Sequence, residues 1–156
     1  MNKEKQKEFH RFFDRMDGLE FEDYCARLLK RNGYKKVEVT GASGDQGIDI
    51  IAYRHRKSYG IQCKNYKGKV NNKAVQEAYA GRTYYGLDYG VVLRNNYFTK
   101  SARELAEETD IQLWDRDTLM EMRKHTGWIG VITGILLSAA VIGGIFLLIY
   151  SLQELF

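Results

Sequence analysis

The sequence has little cysteine, no proline and almost no charge beyond Lys124. Its two cysteines, Cys25 and Cys63, form no CxxC motif and have no histidine at metal-ligand spacing. We therefore expect neither a zinc site nor a disulfide framework, and reduced thiols in the cytoplasm. Residues 1–13 are too charged for a secretory leader. The length of 156 residues excludes a multidomain enzyme and allows one domain plus an appendage.

Residues 128–150 form a 23-residue apolar segment without a charge, which begins with Trp128 and ends with Tyr150. At about 1.5 Å per residue, a helix of that length crosses a bilayer core of roughly 30 Å. A buried core helix is the alternative, but such helices are seldom so uniformly apolar. Basic residues lie at 123–125 and only Glu154 follows, so the positive-inside rule keeps the N-terminal side cytoplasmic. The sequence predicts a single-pass cell-membrane protein.

Small residues recur within this predicted span. Gly130, Gly134 and Ser138 follow one another at intervals of four, a spacing that allows close helix packing and a homodimer. Small residues are also common in such helices without any dimer. Residues 151–156 form a short tail.

The soluble part is moderately basic, with 24 basic and 19 acidic residues before Gly127 and a net charge of +5. This charge suits a polyanionic partner, although a solvated basic surface without a ligand is an equal alternative. The spacing of apolar residues predicts an amphipathic helix within residues 1–17, with Phe9, Phe12, Phe13 and Met16 on one face. Residues 18–124 form the predicted globular domain.

Hydrophobic periodicity and glycine punctuation predict a mixed α/β layer structure in the order ααβββαβαβα. The predicted helices are 4–16, 19–31, 71–84, 99–109 and one from Asp115. Asn71 or Asn72 caps the third of them, and Thr99 caps the fourth. The predicted strands are 37–39, 48–53, 59–64, 89–93 and 111–114.

Polar residues inside two neighbouring strands are the most informative feature. Gln62 and Lys64 are two residues apart and therefore share a face, whereas Cys63 points to the other. Asp49 begins the preceding predicted strand, so a hairpin would bring a carboxylate, an amide and an ammonium to one end of a sheet. The alternative for Asp49 and Lys64 is a structural ion pair.

This set of groups suits metal-assisted hydrolysis of a phosphodiester. Asp49 offers a hard anionic ligand for Mg²⁺, Gln62 a neutral oxygen, and the backbone carbonyl of Cys63 a third ligand. Lys64 would orient or deprotonate the attacking water and offset charge on the phosphate.

No acidic residue lies between Asp49 and Glu77, whereas basic residues and tyrosines are frequent there. Such a stretch predicts contacts to DNA phosphates, and an exposed turn with solvated charges is the alternative. Contacts of this kind fix position and not sequence. The predicted contact residues are Arg54, Arg56, Lys57, Lys67, Lys69 and Lys73.

The segment GASGDQGIDIIAYRHRKSYGIQCKNYKGKV resembles the catalytic core of the Mrr-like branch of the PD-(D/E)xK nucleases. The resemblance extends through LEFEDYCARLLKRNGY, AVQEAYAG, YGVVLRNNYFTKSARELAEE and IQLWDRDTL, roughly from Leu19 to Met120. It implies a restriction-endonuclease-like, three-layer core with a mixed central sheet, and hydrolysis of DNA with Mg²⁺ or Mn²⁺.

Position by position, Asp49, Gln62 and Lys64 match the signature triad of that branch. Glu22 matches an acidic residue on the first core helix that can assist metal binding. Gln62 departs from the wider superfamily, which has Glu or Asp there, and so contributes no negative charge. Asp45 is a competing carboxylate whose glycine neighbours suit a turn better.

These observations predict a membrane-anchored, Mg²⁺-dependent DNA endonuclease that restricts foreign or modified DNA as a defence. The alternative is a non-catalytic nucleic-acid-binding or sensing module tethered to the membrane. The residues do not separate DNA from RNA as the substrate.

Overall fold

A computed structural model describes residues 4, 11–41, 46–65, 68, 71–124, 138 and 141–144. The chain divides into two compact units, Met1–Met122 and Arg123–Phe156. Most of the predicted membrane span 128–150 lies outside the described residues, as do Gly130, Gly134 and the tail. Within the described ranges, no helix is both long and apolar enough to cross a membrane.

In the described part of the first unit, five strands and the three helices named α1 to α3 follow in the order α1 β1 β2 β3 α2 β4 α3 β5. Asp17 caps α1 with a capping box, Asn71 caps α2 and Thr99 caps α3, so each helix begins at a side chain that accepts a main-chain N–H. Residues 11–14 and 116–124 are also helical. The helices are α1 Gly18–Arg31, α2 Asn72–Tyr84 and α3 Lys100–Thr109, and the strands are β1 Lys35–Val39, β2 Ile50–Arg54, β3 Lys57–Lys64, β4 Tyr89–Arg94 and β5 Ile111–Trp114.

The sheet is mixed, as predicted. Its strand order is β1-β2-β3-β4-β5, with antiparallel pairing from β1 to β3 and parallel pairing from β3 to β5. Because β3 and β4 are parallel, the ends of both strands, Lys64 and Arg94, lie side by side. The start of β2 lies at the same edge, since β2 runs antiparallel to β3.

Two hydrophobic clusters cover opposite faces of the sheet and make three layers. One joins Phe21 and Leu29 of α1 to Ile61 and Leu93. The other joins α2 and α3 to Val92. Neighbouring residues of β4 thus serve different cores, as the alternation of a strand requires.

One predicted boundary was wrong in a way that affects the site. The strand predicted over 48–53 begins at Ile50, so Asp49 precedes β2 instead of starting it. The register of β2 with both neighbours starts at Ile50. Asp49 still bonds to both neighbouring strands: its main-chain N–H donates to Ile61, its carbonyl accepts from Thr40, and its side chain accepts the N–H of Cys63.

The turn before Asp49 lies directly against the backbone of α2. A Cβ on Gly47, whose φ is +81°, would lie 2.5 Å from the carbonyl oxygen of Glu77. A Cβ on Gly81 would lie 2.5 Å from Cγ1 of Ile48 and 2.6 Å from the carbonyl oxygen of Gln46. The two glycines therefore permit a contact that fixes this turn relative to α2.

We expect Gly81→Ala to lower the free energy of unfolding by about 1 to 3 kcal/mol, because the added methyl overpacks this contact. Gly41→Ala is the matched control, since a Cβ there has no neighbour within 4 Å. Its effect should stay within about 0.5 kcal/mol. Urea unfolding followed by circular dichroism measures both values, and equal values would contradict the close approach.

Candidate functional site

Asp49 is a buried carboxylate, 5% exposed, held by two donors from β3. Its Oδ2 accepts a hydrogen bond of 2.5 Å from Nε2 of Gln62 and another of 2.5 Å from the main-chain N–H of Cys63. Hydrogen bonds of this kind offset the cost of burying an anion. Asp49 and Gln62 are therefore in direct contact, as the strand pattern predicts.

Cys63 contributes its main chain to the site. Its thiol packs in the core beside Cys25, and the hydrogen bond with Cys25 together with burial raises the pKa of Cys63 well above its usual value. The thiol therefore stays protonated and is a poor nucleophile. Since the N–H and C=O of one strand residue point to the same side, the Cys63 carbonyl faces the same edge as Asp49.

Lys64 lies on the α2 side of the sheet and pairs with Glu77. Its Nζ is 2.8 Å from Oε2 of Glu77, and the two side chains are 17% and 31% exposed. Lys73, one turn earlier on α2, is 3.8 Å from the other oxygen of Glu77. The position of the Lys64 ammonium is therefore set by a carboxylate that the sequence did not single out. From sequence alone, Glu77 and Lys73 read as an ordinary surface pair at i,i+4.

These groups line a cleft of about 380 Å³ at the end of the sheet. Glu22 reaches the cleft from α1, and Asn65 donates a hydrogen bond to the carbonyl of Met16 just before that helix. The cleft thus lies where the end of the sheet meets α1 on one face and α2 on the other. Its lining residues are Gly18, Glu22, Gly47, Asp49, Gln62, Cys63, Lys64, Asn65 and Glu77.

The cleft offers oxygen atoms as possible metal ligands, and Lys64 adds a positive charge beside them. In the part of the chain that the structure describes, no three His, Cys, Asp or Glu side chains gather closely enough to hold a metal by themselves. A hard cation here would depend on mixed ligands, namely the Asp49 carboxylate, the Gln62 amide and the Cys63 carbonyl. Oxygen donors of these three types suit Mg²⁺ or Mn²⁺, so the residues fit the predicted ion.

The predicted DNA-contacting residues occupy different ends of the sheet. The turn between β2 and β3 carries Arg54, Arg56 and Lys57. Lys57 is seven residues from Lys64, or about 23 Å along the strand. Lys73 lies on α2 near the cleft. Lys67 and Lys69 lie outside the described residues.

Arg94, next to Lys64 across the β3–β4 pair, is a second residue that the sequence did not single out. Its guanidinium is fully buried and donates to the carbonyls of Tyr97 and Gly68, 2.5 Å each. Burial, followed by the nearby Arg116, lowers the pKa of Arg94 to about 10. Arg94 therefore ties the connection after Lys64 to the end of β4.

The family model described as a restriction endonuclease, that of the Mrr catalytic domain, matches residues 13–123, which is more than half of the chain. The chain belongs to this family. The match confirms the resemblance seen in the sequence and assigns a nuclease-type domain to the first unit. No curated protein matches the chain.

Solved structures of other proteins share the fold of this chain. A protein of unknown function, AF1548, has a TM-score of 0.54 at 23% identity, covering 66% of this chain and 65% of its own. The DNA modification-dependent restriction endonuclease AspBHI has a TM-score of 0.60 at 17% identity, covering 86% and 41%. MspJI, solved in complex with a 27-mer oligonucleotide, has a TM-score of 0.50 at 19% identity, covering 74% and 29%. The chain thus spans about two thirds of the first structure and less than half of the two larger endonucleases.

We expect Asp49→Ala to destabilise the fold more than Asp49→Asn. Alanine leaves the amide of Gln62 and the N–H of Cys63 as buried donors without this acceptor, at a cost of about 1 to 3 kcal/mol. Asparagine keeps one acceptor oxygen at the same place. Denaturant unfolding of both variants tests this difference, and equal free energies would show that the two hydrogen bonds contribute nothing.

Proposed function

We propose that the protein is a membrane-anchored, metal-dependent DNA endonuclease that hydrolyses phosphodiester bonds and restricts foreign or modified DNA. One observation carries the proposal: Asp49, Gln62, Lys64 and Glu22 line one cleft within a domain of the restriction endonuclease family. Nucleases of this class need an acidic metal site and a cation at the same phosphate.

Asp49, Gln62 and the carbonyl of Cys63 would hold Mg²⁺ or Mn²⁺, with Glu22 assisting from α1. When bound, such an ion polarises a phosphoryl oxygen and lowers the pKa of a coordinated water. The cleft is open to solvent, and each candidate ligand lines it. The buried Asp49 carboxylate would be the main anionic ligand.

Lys64 would orient the attacking water and offset the charge that develops on the phosphate. The ion pair with Glu77 supports this role, because a carboxylate oxygen at 2.8 Å holds the Lys64 ammonium in one position. A fixed positive charge in a partly buried site stabilises a phosphorane-like transition state more than a mobile surface charge does. Glu77 would act through Lys64 as a positioning residue.

DNA would approach the cleft end of the sheet, where Lys73 would contact its phosphates. Lys67 and Lys69 are the other phosphate contacts proposed for this part of the sequence. Arg54, Arg56 and Lys57 would contact the same duplex only if it ran about 23 Å further along β3, a length of about seven phosphates on one strand. Selection for modified DNA rests on the likeness to a modification-dependent endonuclease. RNA is the alternative substrate.

Residues 128–150 would anchor the chain, with the nuclease domain in the cytoplasm. The uncharged 23-residue length and the basic flank at 123–125 support this placement. The small residues Gly130 and Gly134 support a homodimer within the bilayer. Two active sites in a dimer would allow both strands of a duplex to be cut.

We expect the full chain, in detergent or vesicles, to cleave DNA only with Mg²⁺ or Mn²⁺. Lys64→Met and Asp49→Asn should each lower the single-turnover rate at least about 100-fold, because the first removes the positive charge at the reacting phosphate and the second removes the main anionic ligand of the metal. Lys100→Met is the control, since Lys100 is 91% exposed on α3. Methylated DNA, unmethylated DNA and RNA are compared in parallel.

Cleavage that persists in Lys64→Met, or that needs no divalent ion, would contradict this mechanism. Preferential cutting of RNA would reassign the substrate class. Loss of activity in the Lys100 control would point to a general defect of the variants.

We expect Glu77→Gln to lower the cleavage rate about 10-fold or more with little change in DNA affinity, because the Lys64 ammonium loses the carboxylate that positions it. Glu77→Asp should restore part of the rate. Glu104→Gln is the matched control, since Glu104 forms an exposed helix pair with Lys100. Gel-shift affinity and single-turnover cleavage separate the two effects. An unchanged rate in Glu77→Gln would show that Lys64 needs no such partner.

One observation favours the second candidate, a non-catalytic nucleic-acid sensor at the membrane. The amide of Gln62 donates to Asp49, so the pair satisfies itself without an ion. Salt-dependent DNA binding that survives Lys64→Met, with no metal-dependent hydrolysis by the parent chain, would support the sensor.

A further inference from the structure

A strongly basic surface lies outside the cleft. Residues 30–36 and 54–57 contain seven Lys and Arg residues and no acidic one. All seven are exposed. We call this surface the basic end, and its members are Lys30, Arg31, Lys35, Lys36, Arg54, Arg56 and Lys57.

The basic end lies opposite the cleft along two independent elements. Helix α1 runs from Gly18, which lines the cleft, to Arg31, so its 14 residues cover about 21 Å. Strand β3 runs from Lys57 to Lys64, about 23 Å. Both elements thus place the basic end roughly 20 Å from the candidate catalytic groups.

Tyrosine rings and an aspartate hold these cations in a fixed surface. The guanidinium of Arg54 lies 5.2 Å from the ring centre of Tyr34, and Nζ of Lys36 lies 5.9 Å from that of Tyr53. Lys57 is 2.7 Å from Asp88. Tyr53 is 40% exposed, and exposed tyrosines beside lysines are favoured at the headgroup level of a bilayer.

The first unit of the chain ends at this same surface. Nδ2 of Asn32, which lies between Arg31 and Lys35, donates a hydrogen bond of 3.1 Å to the carbonyl of Met122. Met122 is the last residue of the first unit. The apolar segment starts at residue 128, six residues later, a reach of at most about 21 Å for an extended chain.

We propose that the basic end docks on the anionic phospholipid headgroups of the bilayer that residues 128–150 span. The proposal rests on the anchor in the proposed function. Charge complementarity supports it, since clusters of four to eight Lys and Arg beside a membrane segment bind anionic lipid. Docking turns the cleft away from the bilayer, towards DNA in solution. DNA is the less favoured ligand here, because a phosphate at the basic end is about 23 Å from Lys64.

The test uses the full chain in vesicles, with one fluorophore on Lys35→Cys and, in a second sample, on Ser101→Cys. Ser101 is exposed at the start of α3, at the same end of the sheet as Lys64. Cys25 and Cys63 are buried and should not react with the dye. Vesicles contain phosphatidylcholine alone or with phosphatidylglycerol, and a headgroup-attached quencher reports proximity.

We expect strong quenching at position 35 and weak quenching at position 101 in anionic vesicles. Raising the salt from 0.1 to 1 M shortens the screening length from about 10 to about 3 Å and should abolish the difference. Arg54→Gln and Arg56→Gln should each lower the ratio of docked to undocked protein about fivefold. Lys100→Gln, at the opposite end, should leave it unchanged.

Equal quenching at the two positions, in chain that remains in the vesicles after an alkaline wash, would overturn the docking and leave the anchor intact. Release of the chain by that wash would overturn the anchor and this inference with it. Quenching of position 35 by a quencher-labelled duplex, and not by lipid, would assign the basic end to DNA and overturn docking on lipid.

Discussion

The Asp49 carboxylate joins the turn before β2 to the end of β3, and the arrangement of the cleft depends on that joint. A carboxylate that is almost entirely buried needs donors, and it receives two from consecutive residues of β3. The side chain takes the N–H of Cys63, and the main-chain N–H of Asp49 donates to the carbonyl of Ile61. The turn before β2 therefore stays joined to β3, and the acid, the amide and the ammonium line one cleft.

The basic residues at the end of the sheet have partners from other parts of the chain. Lys64 and Arg94 end neighbouring parallel strands, so two cations lie side by side at the sheet edge. Glu77 compensates the first, and main-chain carbonyls of Tyr97 and Gly68 receive the second. Arg94 is fully buried, so the cleft itself presents one ammonium, that of Lys64, beside the carboxylates of Glu22, Asp49 and Glu77. This balance of charge suits a divalent cation.

The period of two in β3 was enough to predict that Gln62 and Lys64 share a face, and the expected hairpin placed Asp49 at the same end of the sheet. Their grouping as a triad came from the family resemblance. Glu77 could not be predicted, because its contact with Lys64 depends on how Gly47 and Gly81 bring α2 against the turn. The sequence also suggested a single basic surface from Arg54 to Lys73. An extended strand separates the two ends of that stretch by about 23 Å, a distance that closeness along the chain does not reveal.

Because Gln62 is neutral, it offers a cation no negative charge, unlike a glutamate at the same position. A glutamate in its place would repel Asp49 and leave the metal-free cleft strained, whereas the amide donates to Asp49 and satisfies it. The amide can keep this hydrogen bond from its nitrogen while its oxygen binds a cation, but it adds no negative charge, so the ion is held more weakly than beside a glutamate. The phosphate of bound DNA can supply the missing negative charge and ligand. A site built this way gains affinity for the ion when substrate is present, so the hydrolytic centre would assemble when DNA is bound.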